Sequence, residues 1–387
     1  MAELPANQWT MREDLAQLVA ALGHGNVRWV GGAVRDTLLD HPVEDIDAAT
    51  LLEPAVVMNR LKQAGIRTVP TGIDHGTVTA LLPGGHVEIT TLRHDVSTDG
   101  RRATVAFASE WQDDAARRDF TINALYADPT TLEVFDWFGG LEDLAVRRVR
   151  FIGDARQRIR EDHLRILRYF RFQARFGSEL DAEAEASCAE LAPMLKGLSR
   201  ERVAMELLKL LALPDPAATV ARMQALGVLP VVLPEAGMEG SVRLAALVAE
   251  EKRQGVAPDA VRRMAALLPA DPKLADGAAA RLRLSTTQRK RLGTAAGRAA
   301  GDARALAYRL GRESALDLLL LTGGDISPLA GWDIPQLPLK GGEIVARGVG
   351  AGPQVARILQ AVERRWVAEQ FPSRERVEQL LAEELGG

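Results

Sequence analysis

Residues 27–47 read VRWVGGAVRDTLLDHPVEDID. A short apolar run, Val27–Val30, stops at Gly31-Gly32; Ala33–Leu39 then takes helical spacing, and Glu44–Ala49 alternates as a strand does. Strand, glycine turn, helix and second strand in so short a space predict a mixed head of sheet and helices. Glycines at such a turn let backbone N–H groups approach a phosphate, and a helix that begins there favours an anion. Arg35, at the fourth position after Gly31, adds a guanidinium fork suited to phosphate. Neither GxxxxGK[ST] nor GxGxxG is present, so the P-loop and the dinucleotide fingerprint do not apply.

Asp45 and Asp47 flank Ile46. On a strand, residues i and i+2 face one side, so both carboxylates can converge while Ile46 turns to the core. Converging carboxylates suit Mg²⁺, and two such ions about 4 Å apart can activate an attacking hydroxyl and stabilise a departing pyrophosphate. Taken alone, the pair would more simply be a solvent-facing strand edge.

Working outward, Glu53–Ala64 reads as a helix and Ile66–Val69 as a strand. Gly76–Leu82 and His86–Leu92 flank Pro83-Gly84-Gly85, a hairpin signature. Beyond about residue 140, Ala/Leu/Arg segments of helical spacing run on, interrupted by Pro193, Gly227, Pro230, Pro234, Pro258, Pro269 and Pro272. The fold class expected is α+β: a head with a small mixed or antiparallel sheet, then an elongated all-helical neck, body and tail. The boundaries expected are 1–140, 141–210, 211–270 and 271–387.

The chain has 387 residues, 48 Lys+Arg against 52 Asp+Glu, and a formal net charge of −4. That balance excludes a uniformly basic nucleic-acid coat but not a local patch. The single cysteine, Cys188, excludes an internal disulfide and a cysteine zinc site. His163 is the last of six histidines, so no histidine-based metal or acid–base site lies beyond it. The opening residues carry Glu3, Glu13 and Asp14 and no basic run before an apolar one, and no apolar stretch reaches 18 residues. The expectation is a cytoplasmic protein without membrane contact.

Residues 147–175 hold ten arginines against Asp154, Glu161 and Asp162, a local charge of +7. Within them Arg160–Phe176, REDHLRILRYFRFQARF, reads as one helix with a broad polar side carrying Glu161, Asp162, Arg165, Arg168, Arg171 and Arg175. Asp162 and Arg165, three apart on that helix, are either an ordinary ion pair or a recognition edge. Cytosine and adenine share an exocyclic amine beside an unprotonated ring nitrogen; a carboxylate accepts from the first and a guanidinium donates to the second. Guanine and uracil present the opposite order and are repelled.

GGAVRD, then DID, then Arg117–Ala124 (RRDFTINA), then EDHLR with Arg168 and Arg171, resembles the class II CCA-adding enzymes, nucleotidyltransferases of the DNA polymerase β superfamily whose N-terminal half bacterial poly(A) polymerases share. The motifs span residues 25–180. The resemblance implies that Asp45 and Asp47 hold two Mg²⁺ ions, with Glu88 on the hairpin strand either a further carboxylate or a structural hydrogen-bonding residue. It implies Gly32 and Arg35 on the triphosphate, Arg118 with Arg117 beside it, Asp119 and Asn123 on nucleotide phosphate and ribose, and Asp162 with Arg165 as the template for CTP and ATP. Arg168 and Arg171 would add phosphate or stacking contacts. The activity implied is addition of CCA to the tRNA 3′ end with release of pyrophosphate. The alternatives are a poly(A) polymerase or a partial CC- or A-adding enzyme and, remotely, a tRNA-binding protein without catalysis.

Arg93-His94-Asp95, then Asp99-Gly100-Arg101-Arg102, resembles the flexible loop by which full CCA-adders switch from CTP to ATP, and implies tRNA contact at Arg101 and Arg102. The acidic SRERVEQLLAEELGG argues against polyadenylation, and His94-Asp95 lacks partner histidines for a phosphohydrolase. Gly350-Ala351-Gly352-Pro353 resembles a helix-hairpin-helix turn: Gly350 and Gly352 either hold an RNA phosphate or cap a helix. Arg281, Arg283, Arg289, Lys290, Arg291 and Arg298 form a second basic stretch, for tRNA or for solvent. Trp9, Trp111, Trp332 and Trp366 are expected to pack.

Overall fold

The computed structural model describes residues 2–73, 76–99 and 102–386, and of 94–99 and 102–106 the backbone course alone. Arg101, expected on tRNA, lies outside the described residues, as does the side chain of Arg102. The chain divides into two compact units, Met1–Val232 and Leu233–Gly387.

The first unit opens with α1 (Glu13–Leu22), β1 (Val27–Val30), α2 (Gly32–Leu38), β2 (Ile46–Thr50), α3 (Pro54–Gln63), β3 (Arg67–Gly72), β4 (Thr77–Leu82) and β5 (Gly85–Thr91). There follow β6 (Arg93–Asp99), β7 (Arg102–Phe107), α4 (Trp111–Ala116), β8 (Tyr126–Ala127) and β9 (Val134–Phe135). Among the described residues, seven strands form one sheet in the order β3-β4-β5-β2-β1-β8-β9, with β6 and β7 a separate hairpin. Every neighbouring pair in the sheet is antiparallel except β2 and β5, which run parallel. The sheet is therefore mixed, as expected. The segment expected as a flexible loop has the backbone of a hairpin, with His94 opposite Ala106 and Asp99 opposite Arg102.

β2 begins at Ile46, two residues later than its alternation suggested, because Asp45 precedes the first cross-strand partner. Alternation marks which residues could lie on a strand; hydrogen-bonded neighbours decide which do. The core beneath the sheet gathers Val30, Ala49, Leu92, Tyr126 and Ile152, with Trp111, Phe135 and Trp137 at its margin. Trp9 packs edge-on to Trp29, and its indole N–H donates to Thr37 Oγ1 at 2.9 Å.

The rest of the first unit is helical: α5 (Gly140–Ala145), α6 (Ala155–Glu161), α7 (Arg165–Phe176), α8 (Ala182–Leu191), α9 (Arg200–Leu211), α10 (Ala217–Ala225) and α11 (Leu229–Val232). The single helix expected over 160–176 is two. Asp162 is extended (φ −148°, ψ 105°), its carboxylate accepts the Leu164 N–H at 3.1 Å, and its carbonyl accepts the Arg165 N–H at 3.0 Å. A short acidic side chain that binds nearby backbone N–H groups competes with helix continuation, which is why it stops one helix here and starts the next.

The second unit comprises α12 (Gly240–Arg253), α13 (Ala260–Leu267), α14 (Pro272–Arg281), α15 (Thr286–Ala296), α16 (Ala303–Leu310), α17 (Arg312–Thr322), α18 (Gly341–Val345), α19 (Pro353–Ala368) and α20 (Arg374–Gly386). Its interior contains charge: Glu251 accepts Arg262 Nε at 2.7 Å and Arg263 Nε at 2.8 Å, and Asp317 accepts Arg291 Nε at 2.7 Å. Buried charges persist when each has its opposite within hydrogen-bond reach. The division after Val232 falls inside the body expected at 211–270, so 211–232 pack with the first unit and 233–270 with the second. The boundary expected at 270 is bridged by packing of α13 on α15. Gly227, Pro230 and Pro234 interrupt the helical spacing around this division, but Pro193, Pro258, Pro269 and Pro272 interrupt it elsewhere, so local breaks do not single it out. Among the described residues no helix is long and apolar enough to cross a membrane.

Candidate nucleotide-binding and catalytic cleft

The sheet brings three acids together. Asp47 stands opposite Val30 on antiparallel β1 and beside Glu88 on parallel β5, so the Asp47 and Glu88 side chains share a face. Asp45, just ahead of β2, is 76% exposed and lies 3.9 Å from His86 Nε2. Burial pushes the Asp47 carboxyl above the usual range; the like charges of Glu88 and Asp45 add to the rise, and Arg118 opposes it. Such uncompensated acid is relieved by a cation, and hard oxygen donors suit Mg²⁺. Among the described residues no three acidic, histidine or cysteine side chains gather closely enough to hold a metal by themselves. Water and substrate oxygens would complete the shell.

The glycine turn sits where β1 hands over to α2. Gly31 has φ +72°, a conformation in which L side chains are strained, and a Cβ there would meet Arg118 Nη1 at 3.4 Å. Arg118 is aimed by its neighbours: Nε donates to Tyr126 Oη at 2.9 Å, and Nη2 lies 3.3 Å from Asp114 Oδ2. Asp114 is buried, and its carboxyl stays below the usual range; burial would raise it, but Arg118 and Arg117 outweigh that.

Four of the expected ligands form one hydrogen-bonded chain, Arg35, Asn123, Asp119 and Arg168. Arg35 is 4% exposed and lies against Phe176, its guanidinium 4.4 Å from the ring centroid; its Nε donates to Asp36 Oδ1 at 2.9 Å and Nη1 to Asn123 Oδ1 at 2.5 Å. Asn123 in turn donates to Asp119 Oδ1 at 2.9 Å, and Asp119 Oδ2 accepts Arg168 Nε at 2.7 Å. Asp119 thereby fastens the sheet side of the cleft to α7. Burial would raise its carboxyl, but Arg168 foremost holds it below the usual range.

Asp162 and Arg165 do not pair with each other. Asp162 Oδ2 accepts Arg202 Nη2 at 2.6 Å. Arg165 donates from Nη1 to Glu161 Oε2 at 2.5 Å and the Arg158 carbonyl at 2.8 Å, and from Nη2 to the Arg117 carbonyl at 3.2 Å. The neighbour relation expected from one continuous helix fails because the chain turns between them. Both still face the same space, each with its own anchor.

That space is a cleft of about 600 Å³ lined by Gly31, Gly32, Arg35, Asp45, Asp47, Arg117, Arg118, Asp119, Asn123, Asp162, Arg165, Arg168 and Arg171, together with Asp36, Pro42, Glu44, Phe172, Arg175 and Lys209. Glu88 is outside the lining. The principal surprise is α9, which sequence reasoning passed over. From it Arg202 holds Asp162, Glu206 Oε2 accepts Arg171 Nε at 2.6 Å, and Lys209 reaches the lining. RERVAMELLKLL has the 3.6-residue spacing of a packed helix, and its polar positions carry no motif that would have separated them from a solvated face.

In the second unit, Gly352 (φ +147°) precedes α19, Pro353 takes the first helical position, and Gly350 and Gly352 are exposed. The second basic stretch is largely engaged. Arg281 pairs with Glu235, Arg289 with Asp276 and Arg291 with Asp317, and Arg298 Nη2 donates to the Leu268 carbonyl at 2.6 Å. Trp366 is buried, its N–H donating to the Pro372 carbonyl at 2.9 Å.

Residues 27–150 match the poly A polymerase head domain family, and 177–238 match a family described as a probable RNA and SrmB-binding site of polymerase A. Human mitochondrial CCA tRNA nucleotidyltransferase 1 is 47% identical over 205 residues, covering 51% of this chain and 46% of that protein. A CCA-adding enzyme of Streptococcus pneumoniae is 44% identical over 188 residues, covering 48% and 46%. The chain thus spans about half the length of the curated relatives it matches. The solved Bacillus stearothermophilus CCA-adding enzyme in complex with CTP superposes with a TM-score of 0.77 at 27% identity, covering 98% of this chain and 99% of that one. A Thermotoga maritima CCA-adding enzyme complexed with tRNA shares the fold at 20% identity, with a TM-score of 0.70 over 97% and 96%. With the glycine turn, the acid pair and the arginine helix on one cleft, residues 27–150 match the poly A polymerase head domain family, and the chain as a whole is similar in fold to the solved CCA-adding enzymes.

Proposed function

We propose that this chain adds CCA to the 3′ end of tRNA from CTP and ATP, releasing pyrophosphate at each step. One observation carries the reading: residues from four separate motifs, distant in sequence, line a single cleft whose acid pair stands beside an arginine-rich wall. Eight cations and six carboxylates line it among the described residues; Asp114, Glu161 and Glu206 stand behind those cations, and Arg202 and Arg158 behind Asp162 and Glu161, so ten positive charges face nine negative ones. A nearly neutral cleft attracts a triphosphate weakly by itself, and this favours a requirement for divalent cations.

Asp45 and Asp47 would hold Mg²⁺, two ions in the fuller reading. The metal would lower the pKa of the primer hydroxyl and neutralise charge on the leaving pyrophosphate. The remaining work is positioning. Gly31-Gly32 leave room at the turn for phosphate oxygens, and Arg118, anchored by Tyr126 and Asp114, points at that turn. Asp162 would accept the exocyclic amine of cytosine or adenine and Arg165 would donate to the ring nitrogen. Asp119, Asn123 and Arg35 chiefly fasten the sheet to α7, which fixes the distance from base edge to acid pair. No histidine is needed, because phosphoryl transfer of this kind rests on orientation and charge stabilisation.

The test is incubation of tRNA lacking CCA with CTP, ATP and Mg²⁺. Three added nucleotides, C, C and A, support the proposal. Long A tracts on generic RNA would instead identify a poly(A) polymerase, and products ending at CC or receiving only A would identify a partial enzyme. RNA binding with no extension would leave only a tRNA-binding role.

A further inference from the structure

Each arginine lining the cleft already stands in an ion pair, from Arg35 with Asp36 at one end to Arg165 with Glu161 at the other. Lys209 is the remaining cation of the lining. It is exposed, and among the described residues no hydrogen bond or ion pair holds it.

Its place on α9 gives that freedom a direction. Arg202, Glu206 and Lys209 are spaced i, i+4, i+7 and share one helical face. Arg202 grips Asp162; Glu206, a turn further along α9, grips Arg171 on α7; and Lys209 comes a turn after that on α9. At a rise of about 1.5 Å per residue, Lys209 lies roughly 10 Å along the axis from Arg202. That is comparable with the reach from the base of an extended nucleoside triphosphate to its terminal phosphate. The far end of α7 points the same way: Arg175 pairs at 3.2 Å with Asp36, on the helix that starts at the glycine turn.

We propose that Lys209 binds the terminal phosphates of the incoming nucleoside triphosphate. The inference rests on the nucleotidyl-transfer reading above and extends it to a residue outside the recognised motifs. The arginines' charges are already partly offset by their paired carboxylates, whereas the Lys209 ammonium has three donors with no partner to displace. Its contribution is blind to the base, so CTP and ATP gain alike, and it ends when pyrophosphate leaves.

Isothermal titration of the full chain in Mg²⁺ with CTP, ATP, inorganic pyrophosphate and CMP tests this. Lys209→Met should weaken CTP, ATP and pyrophosphate by about tenfold each, the scale of one lost charged hydrogen bond. CMP, which lacks the terminal phosphates, should bind as before, and Lys209→Arg should keep most of the affinity. Equal CTP and pyrophosphate affinity in wild type and Lys209→Met overturns the assignment, as does a loss shared by CMP or one confined to tRNA. A wild-type chain that fails to bind CTP overturns the underlying reading instead, so the two failures are distinguishable.

Discussion

At the scale of single residues, Asp47 shows function in conflict with stability. Its carboxyl is raised chiefly by burial, with Glu88 and Asp45 adding repulsion. A folded value above the unfolded one means that stability falls as pH rises through the window between the ordinary 3.8 and the raised value. At neutral pH the ionised group therefore weighs against the fold. Asp47→Asn should melt at or above the wild-type temperature in metal-free buffer while nucleotide transfer drops by at least about a thousandfold. Thermal unfolding and the extension assay read the two sides, and a variant that keeps transfer would remove Asp47 from the chemistry. Glu88→Gln removes one source of repulsion, so the Asp47 carboxyl, followed by NMR in the metal-free protein, should titrate at lower pH.

Asp114 has the opposite sign. Arg118, Arg117 and the Tyr126 hydroxyl hold its folded value below 3.8 in spite of burial. The stability it supplies is complete above the ordinary value and is lost as pH falls through the depressed one. Asp114→Asn leaves two arginines without their carboxylate and should cost about 3 kcal/mol at neutral pH. Urea titrations at descending pH should show the gap from wild type narrowing below 3.8. A gap that stays constant into acid would mean the carboxylate's charge is not what matters.

At the scale of elements, local chemistry decides where helices stop and what they meet. The break at Asp162 turns one amphipathic segment into α6 and α7, giving the two expected base-reading residues separate anchors. α5 makes the same point through space rather than charge. A Cβ at Gly140 would stand 2.3 Å from the Thr121 carbonyl oxygen, far inside any tolerated contact. Gly140→Ala should therefore destabilise the first unit by more than about 1 kcal/mol, because backbone on one side or the other must move. Chemical denaturation measures it, and an unchanged midpoint would mean that the α5 start yields freely. RRDFTINA was visible as a motif; that its Thr121 carbonyl packs on a glycine helix start was not.

At the scale of the whole molecule, the net charge of −4 hides an uneven distribution. Residues 1–232 hold 26 basic and 33 acidic residues, net −7, and residues 233–387 hold 22 and 19, net +3. The entire cleft lies in the first unit. Residues 1–232 expressed alone should bind CTP within about threefold of the full chain, while tRNA binding weakens markedly and loses salt dependence. Titrations of both ligands over a salt series test this. Undiminished tRNA affinity would assign RNA binding to the first unit, with Gly350, Gly352 and the rest of the second unit dispensable.

The mixed head, the glycine turn and the hairpin from Thr77 to Thr91 were legible in the sequence, because each depends on neighbours along the chain: alternation and turn residues. Only the tertiary structure decided that Arg35, Asp119 and Asn123 bind one another, that Asp162 answers to Arg202, and that α9 forms a wall of the cleft. Those pairings join residues up to 88 positions apart. No local spacing encodes them; they follow from which polar groups packing leaves facing one another, and a buried charge takes the nearest opposite charge available.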